Sequence, residues 1–149
     1  HAFLELADFS APPEAEIARV CALLPKEQAA LLDDERLNAI LKMPIFAEIG
    51  GFSLRREQPF LVGLPASRLY EGASEDTVLV QGVIDLLAVR GDEAVVVDYK
   101  YSHLSAEALR AHYAPQMEVY VAAAAQWPGV RTVRACLVNI LCGYCVQVR

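Results

Sequence analysis

The sequence predicts an α/β fold in which a β-sheet is flanked by helices. Three observations lead to this fold class. Apolar side chains recur at helical spacing from the start of the chain to Gly50, and beyond it they alternate with polar ones as in strands. A long helical pattern then separates the third predicted strand from a strand-like C-terminal tail.

Three helices are predicted before the first strand. Residues 1–9, HAFLELADF, have apolar positions at helical spacing and are typical of the C-terminal part of a truncated helix. Prolines open the second helix, over residues 14–24, because proline is tolerated in a first turn. The third helix covers residues 35–49 with acidic N-cap candidates at 33–34, and Pro44 interrupts or ends it.

Three strands follow, at residues 52–64, 77–89 and 94–101. The third strand contains the run VVVDYK, whose β-branched residues indicate a buried strand. The polar segment 90–93, Arg-Gly-Asp-Glu, predicts a hairpin turn between the second and third strands. These two strands are therefore expected to be antiparallel neighbours.

A long helix and a strand-forming tail complete the chain. Ser105 is the predicted N-cap of a helix over residues 106–127, and Gly129 ends this helix. The tail at 132–148 predicts one or two further strands that turn near Gly143. The element order is thus helices, three strands, a helix, and a final strand or hairpin.

Length and composition favour one globular domain over residues 1–149, since 55% of the residues are hydrophobic and 21% are charged. The chain starts on His1 without an initiating Met, so we expect a piece of a longer protein. No signal peptide and no apolar run of roughly 20 residues is present, which predicts a cytoplasmic location and no membrane contact. The net charge of −6 argues against a free-standing DNA-binding module.

Four cysteines leave two interpretations open. Cys142 and Cys145 have metal-ligand spacing, and four thiolates suffice for zinc or an iron–sulfur cluster. Cysteines on apolar strands are more often small core residues, and no Gly/Pro pattern of a metal knuckle surrounds the pair. The second interpretation is favoured. The four residues are Cys21, Cys136, Cys142 and Cys145.

Two acids and a lysine mark the second and third strands. Asp98 and Lys100 are two residues apart and project from the same face of their strand. With the turn near 91 and 92, Asp85 pairs with a residue close to Asp98, so the two carboxylates can meet beside Lys100. Paired carboxylates suit a hard divalent cation, and a nearby lysine suits phosphodiester hydrolysis. An Asp98–Lys100 ion pair with an unrelated Asp85 fits the spacing equally well.

The wider pattern resembles the PD-(D/E)XK nuclease superfamily, and within it the RecB/AddA-type nuclease domain of bacterial helicase–nucleases. The family shows a G-x-x-D strand, a strand ending in D-x-K and a helix with Q-x-x-x-Y. Upstream it has an H-x-x-L helix and, in the AddA group, an R-E-x-P-F element. The matching segments here are GVID at 82–85, VDYK at 97–100, QMEVY at 116–120, HAFL at 1–4 and REQPF at 56–60. The family's G-T before the histidine is absent, because the chain begins at His1.

The resemblance implies a restriction-endonuclease-like core, with a central mixed β-sheet flanked by helices. It also implies that Asp85 and Asp98 hold Mg²⁺ or Mn²⁺. The Tyr99 carbonyl and the His1 ring would be further ligands, and Lys100 would be the catalytic lysine. His1 has an alternative interpretation, since a terminal histidine is also typical of a frayed end or a tag remnant.

Three supporting residues are also implied by the resemblance. Gln116 and Tyr120, at i and i+4, would share a helix face and line the DNA side of the site. The alternative is that Tyr120 packs in the core and Gln116 makes a local hydrogen bond. Glu57 would lie near the site or pair with a neighbouring arginine, and the ion pair is slightly favoured.

The implied function is that of a C-terminal exonuclease domain in an AddA-like ATP-dependent helicase–nuclease of double-strand-break repair and recombination. DNA would arrive as single strands from the helicase body, and an AddB-like protein would be the partner. The phosphate-binding pattern G-x-x-x-x-G-K-[ST] does not occur in these residues, so ATP would bind elsewhere in such a protein. The alternatives are a catalytically inactive module that guides DNA and a stand-alone nuclease of the same superfamily.

Overall fold

A computed structural model describes all 149 residues and contains a five-stranded sheet in the order β1-β2-β3-β4-β5. The strands are β1 Ser53–Pro65, β2 Thr77–Arg90, β3 Glu93–Lys100, β4 Thr132–Asn139 and β5 Tyr144–Gln147. The α-helices are α1 Ala2–Leu6, α2 Pro13–Leu23, α3 Lys26–Ala29, α4 Asp34–Leu41, α5 Pro44–Ile49 and α6 Ala106–Ala125. A single 3₁₀ turn, Ala66–Arg68, follows β1. None of the helices has the length and apolarity needed to cross a membrane.

The sheet is mixed, because α6 connects β3 to a parallel neighbour. Strands β3 and β4 pair in parallel, whereas the other three neighbouring pairs are antiparallel. A parallel pair needs a crossover, and the long helix after Lys100 provides it. The predicted central mixed sheet with flanking helices is therefore confirmed.

Local signals in the sequence account for the helix boundaries. The Asp33 side chain caps α4 by accepting from two backbone N–H groups, and the Ser105 hydroxyl caps α6 by accepting from Ala108 N. Pro44 stands at the first position of α5, so it separates two helices where one interrupted helix was expected. The first predicted helix is shorter than expected, since α1 ends at Leu6, and the short helix α3 was not expected.

Two hydrophobic clusters cover the two faces of the sheet. The first cluster joins the N-terminal helices to one face and contains Phe46, Leu86 and Val97. The second cluster joins α6 to the opposite face and contains Met117 and Val96. Strand β3 is buried on both faces, which explains its run of β-branched residues.

Strands β2 and β3 form a fork. They are paired only from Leu86–Val97 to Arg90–Glu93, near their hairpin turn. Beyond this ladder β2 continues with β1 alone, and the end of β3 continues with β4 alone. The segment Thr77–Asp85 of β2 therefore has one free edge, which faces the gap between the two strands.

A backbone irregularity in β1 lies opposite the start of this fork. Glu57 has φ 49°, and its pairing with Asp85 is the single gap in a ladder that runs from Ser53–Val89 to Pro65–Thr77. A non-glycine residue with positive φ is uncommon, and in a strand it breaks the alternation of side chains. Accordingly Ile84 packs into the second cluster while Leu86, two residues later, packs into the first. The strands thus change face at the position of Asp85.

Candidate active site

Asp85 and Asp98 lie where β2 and β3 separate. Leu86 and Val97 are the last paired residues of the two strands, and each aspartate is the next residue beyond this pair. The backbone N–H of Tyr99 donates to Asp85 Oδ2 at 2.8 Å, so a side-chain oxygen serves this N–H after the ladder has ended. The two carboxylates interact directly across the fork. The hairpin thus brings together the two acids that its register predicts.

Asp98 is almost fully buried, with a relative exposure of 2%. Burial raises the pKa of Asp98 to about 6; Lys100 lowers it and the Asp85 carboxylate raises it. Asp98 Oδ2 lies 2.8 Å from Lys100 Nζ, but the angle is not that of a hydrogen bond, and this oxygen has no hydrogen-bond partner. One carboxylate oxygen is therefore buried with a cation beside it and without a directed donor.

Lys100 is held by three groups. Its Nζ lies beside Asp98, donates to Gln116 Oε1 at 2.8 Å, and stands 4.2 Å from the centre of the Tyr113 ring. The last contact is a cation–π interaction, in which the face of the ring attracts the ammonium group. The ammonium therefore has a fixed position at the mouth of the fork, and its side chain is 16% exposed.

Gln116 and Tyr120 share one face of α6, as their spacing predicts. The Gln116 amide donates to the Tyr120 hydroxyl at 3.1 Å, which continues the row of polar groups that begins at Asp98 and Lys100. Tyr120 is also a core residue, and its ring packs edge to face on Phe60 at 5.6 Å. Burial raises the pKa of the Tyr120 hydroxyl to about 12, so this group is a neutral hydrogen-bonding partner at neutral pH.

Gly82 leaves room for this packing. A Cβ atom at Gly82 would lie 2.9 Å from the Phe60 ring, which is shorter than a normal carbon–carbon contact. The glycine of the G-x-x-D pattern therefore allows Phe60 to lie over β2 and to contact Tyr120.

Glu57 lies near the site and forms no ion pair with Arg55 or Arg56, so the slightly favoured arginine pairing is wrong. Partial burial raises the pKa of the Glu57 carboxyl, and the nearby carboxylates of Glu5 and Asp85 raise it further. Arg56 instead donates to the backbone carbonyl oxygens of Leu4 and Glu5, at 3.2 and 2.7 Å. The arginine thus attaches α1 to β1, where a cation also complements the C-terminal end of a helix.

His1 and Tyr99 lie against each other beside the fork. The His1 ring meets the Tyr99 ring edge to face at 5.8 Å. Tyr99 is buried in the first cluster, and burial raises the pKa of its hydroxyl far above the usual value. No group of three or more His, Cys, Asp or Glu side chains is close enough to form a metal site. The structure therefore does not gather His1 with both aspartates, and its role as a ligand remains a prediction.

Asp85 and Asp98 by themselves fit an ion of the Mg²⁺ type. Protein sites for this ion commonly use one or two carboxylates and leave the other positions to water and substrate phosphates. The unpartnered Oδ2 of Asp98 adds an observation in favour, because a buried carboxylate oxygen without a donor is costly unless a cation serves it. The donor set is therefore suited to a hard divalent cation that is shared with a substrate.

The cysteines lie away from this fork. Cys136 is buried in the first cluster, as expected for a small core residue, and Cys21 packs partly against the same cluster. Cys142 and Cys145 are exposed, so the core interpretation is wrong for these two. Both follow the end of β4 and border the turn at Gly143, where the need for a turn outweighs the apolar pattern.

Two residues that support the site are not identified by the sequence patterns. Tyr113 is expected only in the core, although it precedes Gln116 by three residues and so shares its helix face. Asn139, at the end of β4, is fully buried and accepts from Leu141 N at 3.0 Å and Cys142 N at 3.3 Å. It also donates to Ser102 O at 2.8 Å, which fixes the loop after Lys100. No sequence signal distinguishes this asparagine from a turn residue.

The sequence model of the PD-(D/E)XK nuclease superfamily matches residues 1–143. Several similar curated proteins are named as the larger-letter "A" component of an ATP-dependent helicase/nuclease. The protein of Acetivibrio thermocellus is 32% identical over 121 residues, which cover 74% of this chain and 10% of the relative. For Desulforudis audaxviator the identity is 34% over 107 residues, covering 67% of this chain and 9% of the relative. For Carboxydothermus hydrogenoformans it is 30% over 142 residues, covering 87% and 12%.

The chain thus spans about a tenth of the length of these relatives. The family match extends over all five elements of the fork and its support: the N-terminal helix, β1, the acidic end of β2, β3 and α6. The mixed sheet, the paired aspartates and the lysine two residues after the second aspartate agree with this match. The chain belongs to the PD-(D/E)XK nuclease superfamily.

Proposed function

We propose that this chain is the metal-dependent DNA nuclease domain of an AddA-like helicase–nuclease. The observation that carries the proposal is the group of Asp85, Asp98 and Lys100 at the fork, where a buried carboxylate oxygen lacks a donor. An inactive module that only guides DNA is the alternative. It is not favoured, because such a module gains nothing from burying two interacting carboxylates.

Asp85 and Asp98 would hold one Mg²⁺ or Mn²⁺ ion, with the Tyr99 carbonyl and the His1 ring as further candidate ligands. When bound, such an ion polarises a phosphoryl oxygen and lowers the pKa of a coordinated water. Burial and the neighbouring Asp85 make the charged form of Asp98 unfavourable without a cation. Ion binding would therefore convert Asp98 to its charged form at neutral pH.

Lys100 would act on the substrate and not on the ion. One of its N–H groups is used by Gln116, and an ammonium group has three donors. The remaining donors can stabilise the charge that develops on the phosphate oxygens in the transition state. Gln116, Tyr113 and Asp98 would position the ammonium, which limits the reorganisation needed during the reaction.

DNA is the proposed substrate, delivered as single strands by the helicase part of a longer polypeptide, with an AddB-like protein as partner. The names of the relatives and the tenth of their length that this chain spans support this arrangement. Exonucleolytic cutting during double-strand-break repair in the cytoplasm is part of the same proposal.

The test compares variants of the complete polypeptide in cleavage of single-stranded DNA and in Mn²⁺ binding by calorimetry. Asp85→Asn and Asp98→Asn are expected to lose both cleavage and Mn²⁺ binding at this site. Lys100→Ala is expected to lose about 10²–10⁴-fold in turnover while it still binds Mn²⁺. Asp34→Asn is the matched control, because Asp34 is exposed on α4 and distant in the fold from the fork.

Normal cleavage by a folded Asp98→Asn variant would overturn the nuclease assignment of this site. Loss of Mn²⁺ binding in Lys100→Ala would show that the lysine is chiefly a counter-charge for the acids.

A further inference from the structure

A groove leads away from the fork along the free edge of β2. Its floor is this edge, its wall is α6, and the residues after the 3₁₀ turn close its far end. The volume is about 440 Å³, which lies within the roughly 300–1,000 Å³ of small-molecule sites. The free edge is formed by residues that pair with β1 only, so alternate backbone N–H and C=O groups lack a strand partner there.

The groove contains no charged residue among those that line it. Apolar side chains dominate, and the polar side chains are the amides of Gln81 and Gln116 and the hydroxyl of Tyr70. Tyr70 is 68% exposed and Val78 is 37% exposed, although both are large apolar residues. Such a surface suits a flat, uncharged and partly polar ligand, because apolar faces can stack while amides and backbone groups serve its edges.

The groove is continuous with the proposed catalytic row. Gln116 lines the groove and also accepts from Lys100 Nζ at 2.8 Å. A ligand in the groove would therefore lie next to the phosphate that reacts at the fork. A nucleobase matches both requirements, since it is flat and uncharged and is attached to that phosphate.

We infer that this groove binds bases of one unpaired DNA strand beside the scissile phosphate, with Tyr70 as a stacking platform. The inference rests on the proposed nuclease function and adds its strand-binding subsite. Bases in a duplex are stacked on one another and cannot enter an uncharged groove, so the site selects an unpaired strand. The phosphates would face outward, away from the acidic loop that contains Glu71, Glu75 and Asp76.

The experiment uses the complete polypeptide and a pair of oligonucleotides with the same phosphates. One is an ordinary single strand, and the other has abasic positions next to the cleaved bond. The wild type is expected to have a lower KM for the ordinary strand. Tyr70→Ala is expected to raise this KM about tenfold and to remove the preference over the abasic strand, since one stacked base contributes about 1–3 kcal/mol. Tyr70→Trp is expected to keep the preference.

Leu61→Ala is the matched control, because Leu61 is 62% exposed on the same hairpin and does not line the groove. A second readout places 2-aminopurine in the strand in an Asp98→Asn background, where stacking on Tyr70 should quench its fluorescence. Tyr70→Ala should abolish the quenching, and Leu61→Ala should leave it unchanged.

The outcomes separate the two proposals. If the wild type cleaves DNA but Tyr70→Ala changes neither the preference nor the quenching, the inference is overturned while the nuclease function stands. If Tyr70→Ala instead weakens only the association with a partner protein, the groove is a protein-docking surface and the inference is also overturned. If the wild type cleaves neither oligonucleotide, the proposed function itself fails, and quenching still tests the groove.

Discussion

At the scale of single residues, Asp98 has the clearest energetic role. It lies at the end of a strand that is buried on both faces, and it retains only 2% of its exposure. Lys100 offsets part of the cost of this burial, but Asp85 adds to it. The result is a carboxyl group whose charged form needs a second cation, which is a useful property for a residue that has to bind one.

Asp98 should therefore produce a measurable pH dependence in the absence of divalent ions. Its pKa is raised from 3.8 to about 6, so the folded chain retains a proton that the unfolded chain releases. Stability should be greatest below the unfolded pKa and should fall as the pH rises from about 4 to about 6. Asp98→Asn should remove this part of the slope in denaturant titrations at several pH values. An unchanged slope would show that Asp98 titrates normally.

Asn139 should be important for stability rather than for chemistry. It is fully buried, and its amide serves backbone groups of the loop after Lys100 and of the turn after β4. Asn139→Ala should lower the free energy of unfolding by roughly 3 kcal/mol, because several buried polar groups would lose their partners. Asn38→Ala is the control, since Asn38 Oδ1 has no hydrogen-bond partner. Equal losses in the two variants, measured by denaturant unfolding, would contradict this role.

At the scale of elements, the irregular residue of β1 shapes the fork. Glu57 interrupts the alternation of β1 opposite Asp85, and the faces of both strands change there. Without this change Asp85 would follow the regular alternation of β2. The conformation itself is unfavourable, because a side chain at positive φ costs on the order of 1–3 kcal/mol.

Glu57→Gly should accordingly raise the free energy of unfolding by about 1 kcal/mol, since glycine adopts positive φ without a steric cost. Glu57→Ala removes the same carboxylate but keeps a Cβ atom, and it should give no such gain. Thermal and denaturant unfolding of the two variants would measure the difference. A similar change in both would assign the effect to the loss of charge near Glu5 and Asp85.

Some elements of this structure follow from the sequence and others do not. The hairpin turn at 90–93 sets a register in which Asp85 and Asp98 are neighbours, and simple counting predicts it. Strand β3 and helix α6 are predicted because their apolar patterns are long and regular. The kink at Glu57 is not, because a glutamate at positive φ has no sequence signature. The buried hydrogen bonds of Asn139 depend on segments that are distant in the sequence, and local patterns contain no information about them.

At the scale of the whole molecule, net charge limits what the chain can do alone. It has 13 basic and 19 acidic residues, and nucleic-acid affinity depends largely on neutralised phosphates. Residues 1–149 alone should therefore bind single-stranded DNA much more weakly than the complete polypeptide, and with a smaller dependence on salt. Fluorescence anisotropy at two salt concentrations would measure both quantities. Equal affinity and equal salt dependence would mean that this chain supplies its own phosphate contacts.

The fork between β2 and β3 has a mechanical consequence. The free segment Thr77–Asp85 is a lever arm, and the short ladder beside the two aspartates is its pivot. At about 3.3 Å per residue the arm is about 30 Å long, so a rotation of about 10° would move its tip by roughly 5 Å. Groups at the pivot would hardly move during this rotation. The groove can therefore widen for an entering strand while Asp85 and Asp98 keep the spacing that a cation requires.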